Sequence, residues 1–282
     1  MILYSFIKHK DLLINKDFLG VLEKNRLSDL DSLMKFKGGI PVKEKKFRSV
    51  KRIDLEEGLT KKTFYLKQHF WPGRERIKSV LPWTKKEDAG NEWENMLLLD
   101  KLGFNTMTPV AFGMKKRFGM PCYSLTLSES IYGSEKLEIY LPGHFSPPLI
   151  REKIIEKKAL INELATLARD FHFRGLNHQD FYLGHLLIRK SDKKIFIVDL
   201  QRIHKSNTIS AHDRIKDLAQ LYYSAGRLEI FSRTDFMRFA HSYFGKDNLN
   251  RDEKRLIKKI IAKSEKIARH DAGLRSRRKN NP

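Results

Sequence analysis

Five polar residues stand in an order that few folds can supply. Lys67 closes the apolar run Phe64-Tyr65-Leu66, Glu92 lies in the next helix-period stretch, and His178-Gln179-Asp180 follows a long amphipathic segment. Asp199 comes directly after the apolar run Ile195–Val198, and Asp217 sits inside another helix-period stretch. Singly, each has an ordinary explanation: a strand lysine is usually solvated, and an aspartate after an apolar strand is commonly a turn or a helix cap. The constraint lies in the order of lysine on a strand, glutamate on a helix, His-x-Asp after a long helix, aspartate after a hairpin and aspartate in a helix. Such an order asks for a sheet-rich first half and a helical second half with a ligand bound between them.

The hydrophobic pattern agrees. From Leu30 to Phe70 it is strand-like: Leu33–Phe36, a Gly38-Gly39 turn, alternating Phe47, Val50 and Ile53, a Gly58 turn, then Phe64–Lys67. Residues 72–86 read as a basic loop, and a helix from about Ala89 to Leu102 stops at Gly103. Thr108–Phe112 and Cys122–Leu127 predict two strands around a Gly113–Gly119 turn. Pro142, Gly143, Pro147 and Pro148 mark a loop. The helix after it, at about 150–174, puts Leu160, Leu164, Leu167, Ala168 and Phe171 on one face. Short strands at Leu186–Ile188 and Ile195–Val198 flank a Ser191–Lys194 turn. Helices follow at about 212–225, with Ser210 and Asp213 at capping-box spacing, at 233–243 and at 251–270. The expectation is an α+β, two-lobed chain. It has an N-terminal extension over 1–29 with a short helix around Asp11–Leu22, an antiparallel-sheet N-lobe over 30–130, a helical C-lobe over 131–272 and a basic, disordered tail over 273–282.

Composition narrows the setting. With 40% hydrophobic and 11% aromatic residues in 282, the chain can bury a sizeable core. A single cysteine, Cys122, excludes an internal disulfide, and no Cys/His cluster has zinc spacing. The start MILYSFIKHK has no signal-peptide pattern, and no run approaches a membrane span, so a soluble cytoplasmic protein is expected. Against 34 acidic residues stand 56 basic ones, a net charge of +22. That surface attracts polyanions (nucleic acid, anionic lipid, phosphorylated glycan) and cannot choose among them.

The segment Asn177–Ile188 resembles the catalytic loop of protein kinases, His-Arg-Asp, four residues, then Asn. Asp180 falls at the base position and His185 at the Asn position. Ile197-Val198-Asp199-Leu200-Gln201 is similar to the strand and aspartate of the metal-binding Asp-Phe-Gly element, and Phe64–Lys67 to the third-strand lysine motif. This protein-kinase-like resemblance implies ATP and Mg²⁺. Asp180 would take the acceptor proton, and Asp199 would hold Mg²⁺, with His185 a poorer ligand because Mg²⁺ prefers oxygen. Lys67 would bind phosphates with Glu92 holding its ammonium (Glu94 is the alternative), Asp217 would support the loop, and His178 would pack within it. No G-x-G-x-x-G loop is present; Gly38-Gly39 is the nearest candidate, with Lys43, Lys45, Lys46 and Arg48 as possible sources of charge.

The fuller strings narrow the family. His178-Gln179-Asp180-Phe181-Tyr182-Leu183-Gly184-His185, Val198–Arg202, Asn91-Glu92-Trp93, Leu102–Met107 and Lys216–Ser224 resemble the lipopolysaccharide core heptose kinases, the Kdo/WaaP family, over roughly residues 45–245. The resemblance implies ATP-dependent phosphorylation of a heptose or Kdo hydroxyl of the lipopolysaccharide inner core. The enzyme would be peripheral at the cytoplasmic face of the inner membrane, with an anionic glycolipid acceptor and an anionic membrane surface as partners. The rivals are another small-molecule kinase of this fold, where Asn usually stands at the position of His185, and a nucleic-acid-binding pseudokinase. The latter fits poorly with Lys67, Asp180 and Asp199 all being present.

Overall fold

The computed structural model describes residues 4–72 and 89–280. The expected basic loop lies, apart from Pro72, outside them. The chain divides into two compact units, residues 1–132 with 196–202, and residues 133–195 with 203–282.

The first unit is a seven-stranded antiparallel sheet in the order β1-β2-β6-β7-β5-β4-β3. Its strands are β1 (Phe6–His9), β2 (Leu12–Asn15), β3 (Ile40–Lys45), β4 (Arg48–Glu57), β5 (Thr60–Phe70), β6 (Thr108–Arg117) and β7 (Met120–Glu129). Three helices accompany them: α1 (Leu19–Lys24), α2 (Leu30–Lys35) and α3 (Ala89–Lys101). Period-2 alternation sorts the two faces. Phe64 and Leu66 of β5, Leu125 and Leu127 of β7, and Ile53 and Leu55 of β4 join one apolar cluster with Leu22, Leu30 and Leu33 of the first two helices. The intervening residues, Lys67, His69, Ser124, Thr126 and Ser128, point to the other face, where the Thr126 hydroxyl donates to the Ala89 carbonyl at 2.9 Å. The face opposite the apolar cluster is therefore polar by the same alternation that builds the core.

Two expectations fail here for local reasons. Leu33–Phe36 is not a strand, because Asp29 caps α2, its carboxylate accepting from the Ser32 N–H at 2.8 Å. The helix expected at 11–22 starts only at Leu19. Leu12–Ile14 pairs instead with Ala111–Gly113, placing the fully buried Leu12 and Ile14 in the core. Gly113 is a strand residue, not the start of a turn. A Cβ there would lie 2.6 Å from the Leu12 side chain and 2.8 Å from that of Leu30, so a larger residue would have to push both leucines aside.

The second unit carries the short strands β8 (Ser134–Lys136), β9 (Leu176–Asn177), β10 (Leu186–Arg189) and β12 (His204–Lys205). Its helices are α4 (Leu137–His144), α5 (Arg151–Phe173), α6 (Ala211–Gly226), α7 (Arg233–Phe244) and α8 (Arg251–Asn280). β11 (Ile195–Ile197) lies where the chain passes between units. The apolar stripe of α5, including Leu160, Leu164, Ala168 and Phe171, is buried as the spacing predicts. Gly175 ends that region at φ 75°, and a Cβ on it would meet the Ser206 carbonyl at 2.0 Å. Pro142 and Gly143, expected in a loop, form the last turn of α4. Residues 273–280, set aside as a tail, continue α8. A cavity of about 570 Å³ lies among α4–α8, lined by Leu160, Leu164, Leu221, Phe236, Tyr243 and Ile260 among others.

Candidate active site

In the sheet unit, Lys67 stands on the polar face of β5. Its ammonium bonds the carboxylate of Glu92, which is 1% exposed on α3. The second Glu92 oxygen accepts from the Gln201 amide at 3.1 Å. Glu94, the alternative partner, is exposed. The Lys67 ammonium is also 3.9 Å from Asp199 Oδ1, and the Arg48 guanidinium is 3.8 Å from the same oxygen. Asp199 has a left-handed backbone, φ 59°, rare for a side-chain-bearing residue and least costly for Asp or Asn. Around it, the Asn95 amide donates to the Leu200 carbonyl at 2.8 Å and the Thr106 hydroxyl to the Ile197 carbonyl at 2.7 Å. The structure thus brings Lys67, Glu92 and Asp199 together.

In the helical unit, Asp180 and His185 lie on a loop held by one face of α6. Asp217, fully buried, accepts from the backbone N–H groups of His178 at 2.7 Å and Gln179 at 2.9 Å. One turn on, Gln220 accepts from the Phe181 N–H at 2.8 Å and donates to the Gln179 carbonyl at 2.7 Å. Another turn on, the Ser224 hydroxyl accepts from the Leu183 N–H at 3.0 Å. Positions i, i+3 and i+7 share a helix face, so one helix pins the loop at His178, Gln179, Phe181 and Leu183. Gln179 takes φ 66°, a strain those bonds hold in place. His178 is fully buried with its ring stacked on His185, centroids 5.9 Å apart. His185 Nδ1 lies 2.7 Å from the Asp180 carbonyl. A carbonyl can only accept, so Nδ1 carries a proton.

The sequence pattern does not mark Asn95, Gln201, Gln220 or Ser224 as site residues, and it marks Arg48 only as a source of charge. The i+3 and i+7 spacing from Asp217 was available as a signal for Gln220 and Ser224. Asp217→Ala would remove the acceptor of the buried His178 N–H and of the half-buried Gln179 N–H, costing about 2–4 kcal/mol. We expect a melting temperature lower by several degrees and reduced turnover; an unchanged melting curve would refute the anchoring of the loop by Asp217.

A buried lysine–glutamate pair beside one aspartate, and a second aspartate on a helix-pinned loop, are the parts of a phosphotransferase of the protein-kinase-like fold. The sequence model of the lipopolysaccharide kinase (Kdo/WaaP) family matches residues 38–243. The chain is 32% identical over 228 residues to the lipopolysaccharide core heptose(I) kinase WaaP of Escherichia coli, covering 77% of this chain and 84% of that one. It is 31% identical over 189 residues to the protein of the same description from Pseudomonas aeruginosa, covering 64% and 68%. A solved structure described as WaaP in complex with acyl carrier protein superposes with a TM-score of 0.70 at 25% identity, over 90% of this chain and 98% of that one. The chain belongs to the lipopolysaccharide kinase (Kdo/WaaP) family, and with it to the ATP-dependent kinases of lipopolysaccharide inner-core sugars.

Proposed function

We propose that the chain transfers the terminal phosphate of ATP to a hydroxyl of an inner-core heptose, with Asp180 as the base. The observation that carries this reading is the Lys67 ammonium, bonded to buried Glu92 and 3.9 Å from Asp199. Lys67 binds nucleotide phosphate oxygens, and Glu92, itself fixed by Gln201, keeps the ammonium aimed. Asp180 orients the sugar hydroxyl and accepts its proton as the new O–P bond forms and the bond to the ADP oxygen breaks. Among the described residues no three His, Cys, Asp or Glu side chains gather as a metal site. Mg²⁺ usually takes one or two carboxylates and completes its shell with phosphates and water. Asp199 would hold it; the family resemblance also offers His185, a poorer ligand because Mg²⁺ prefers oxygen. The ion would neutralise charge on the transferring phosphate. Purified protein given ATP and lipopolysaccharide lacking core phosphate should label a heptose; label on Kdo alone, or on RNA in preference to glycan, would overturn the reading.

Membrane attachment follows from the acceptor. Among the described residues no helix is long and apolar enough to cross a membrane. In α8, Ile257, Ile260 and Ile261 line the cavity of the helical unit, which accounts for the apolar stripe. Lys254, Arg255, Lys258, Lys259 and Lys266 remain exposed. Each basic residue at an acidic bilayer contributes about 1 kcal/mol, screened beyond about 8 Å at physiological salt. Binding to anionic vesicles should weaken with salt and on deletion of residues 273–282, with turnover of a soluble acceptor unchanged. Equal binding to neutral vesicles would exclude this role. The family resemblance supports action at the cytoplasmic face of the inner membrane.

The apolar cavity favours one further partner. The solved relative is in complex with acyl carrier protein, and an acyl chain is what a cavity lined by leucine, isoleucine and phenylalanine would accept. Acylated carrier protein should therefore raise the melting temperature and the unacylated form should not; equal shifts would rule out the cavity.

A further inference from the structure

We propose that Arg48 and His69 form an anion pocket beside Lys67 that receives the terminal phosphate of the nucleoside triphosphate. The proposal rests on the reading of Lys67 as a phosphate ligand and adds a second subsite to it. In the sheet register Arg48 of β4 lies opposite His69 of β5, and His69 lies opposite Ser124 of β7. The neighbouring row on the same face is Val50, Lys67 and Thr126. One polar row therefore runs directly beside the row that carries the lysine.

That row is buried and unsatisfied. His69 is 4% exposed and Ser124 fully buried, and Arg48 keeps 18% of its side chain exposed. Among the described residues the Arg48 Nε, His69 Nε2 and Ser124 Oγ atoms have no hydrogen-bond partner. Native interiors pair nearly all such atoms, and three orphans in one row point to a ligand. The other face of the same strand supplies a comparison. Buried Gln68 donates to the Leu33 and Met34 carbonyls at 2.8 and 3.1 Å and accepts from Ser49 at 2.8 Å. Where a polar residue of β5 serves the fold, the fold satisfies it.

The chemistry suits a phosphate. Burial and the two neighbouring cations push the His69 pKa down to about 3, so its imidazole is neutral and can donate one N–H. Arg48 brings a planar fork of donors that matches phosphate oxygens. It already faces an anion, Asp199 Oδ1, on which Lys67 converges as well. The chain has no glycine-rich run whose backbone amides could cradle phosphate. Of the cations considered in its place, Lys43, Lys45 and Lys46 are exposed, and Arg48 alone turns inward to Asp199.

The test is calorimetric binding of AMP-PNP and of ADP, each with Mg²⁺, to the full-length protein. Arg48→Ala should weaken AMP-PNP by roughly 10- to 100-fold, the worth of a charge-assisted hydrogen bond, while ADP changes less than about threefold. Arg48→Lys, which keeps the charge without the fork, should fall between. His69→Phe should weaken AMP-PNP by several-fold and spare ADP. If Arg48→Ala weakens both nucleotides equally, or neither, the pocket is overturned. Lys67→Ala should weaken both; its failure to do so would sink the assignment of Lys67 while leaving the Arg48 discrimination to stand by itself.

Discussion

Replacing Asp180 by alanine is expected to lower turnover by roughly 10²- to 10⁴-fold, the usual worth of a positioned general base, with little change in melting temperature or ATP-analogue affinity. The separation of effects follows from how the loop is held. Asp217, Gln220 and Ser224 bond the backbone of residues 178, 179, 181 and 183. His185 bonds the Asp180 carbonyl rather than its carboxylate. Removing the side chain leaves all of these bonds in place. Asp180→Asn keeps the shape but cannot take a proton, and should be nearly as impaired. Asp217→Ala is the contrast, losing activity and stability together. Near-wild-type turnover in either Asp180 variant would refute its role as base, and a large drop in melting temperature would recast it as structural.

The ordered polar residues were legible because each sits in an element whose period is strong. Lys67 follows an apolar run, and Asp217 lies in a helix with a clear apolar face. Of these residues, Lys67 bonds Glu92 and lies 3.9 Å from Asp199, and Asp217 holds the backbone of His178 and Gln179, next to Asp180. The misreadings fall where two physical signals compete over a short span. Leu33–Phe36 is apolar enough for a strand, but the Asp29 cap decides for a helix. Leu12–Asn15 sits within a weak helix pattern, yet β6 offers it ladder bonds and a buried place. Pro142 reads as a loop residue by its own preference, yet it lies inside α4 beside the buried Tyr140 and Leu141. Gln201 and Arg48 were harder for another reason. Gln201 meets Glu92 across 109 positions of sequence and Arg48 meets Asp199 across a still longer span, and no local pattern announces such a meeting. The polar alternation of β7, Ser124, Thr126 and Ser128 between leucines, is visible in the sequence; that it shares a face with Lys67 is plain only once β5 is its neighbour.

Lys67, Glu92 and Asp199 should behave as one unit, and a double-mutant cycle reads this directly. Lys67→Ala removes the cation that Glu92 and Asp199 both face, and turnover should fall by about 10²- to 10³-fold through loss of an electrostatic clamp on the phosphates. Glu92→Ala leaves the ammonium in place but strips its nearest carboxylate. Breaking a buried pair from one side costs about 3–5 kcal/mol if the survivor finds no partner. Here it has one, because Asp199 lies 3.9 Å away. The lysine should then swing toward Asp199 and occupy the carboxylate meant for the metal, so Glu92→Ala should be almost as inactive as Lys67→Ala while losing less stability than a stranded charge implies. Two consequences separate this account from a simple structural role for Glu92. The Lys67→Ala/Glu92→Ala double variant should be no worse than either single one. Glu92→Ala should also need a higher Mg²⁺ concentration for half-maximal nucleotide binding, because lysine and metal compete for Asp199. Additive losses in the cycle, or an unchanged Mg²⁺ requirement in Glu92→Ala, would show that the three residues do not work together.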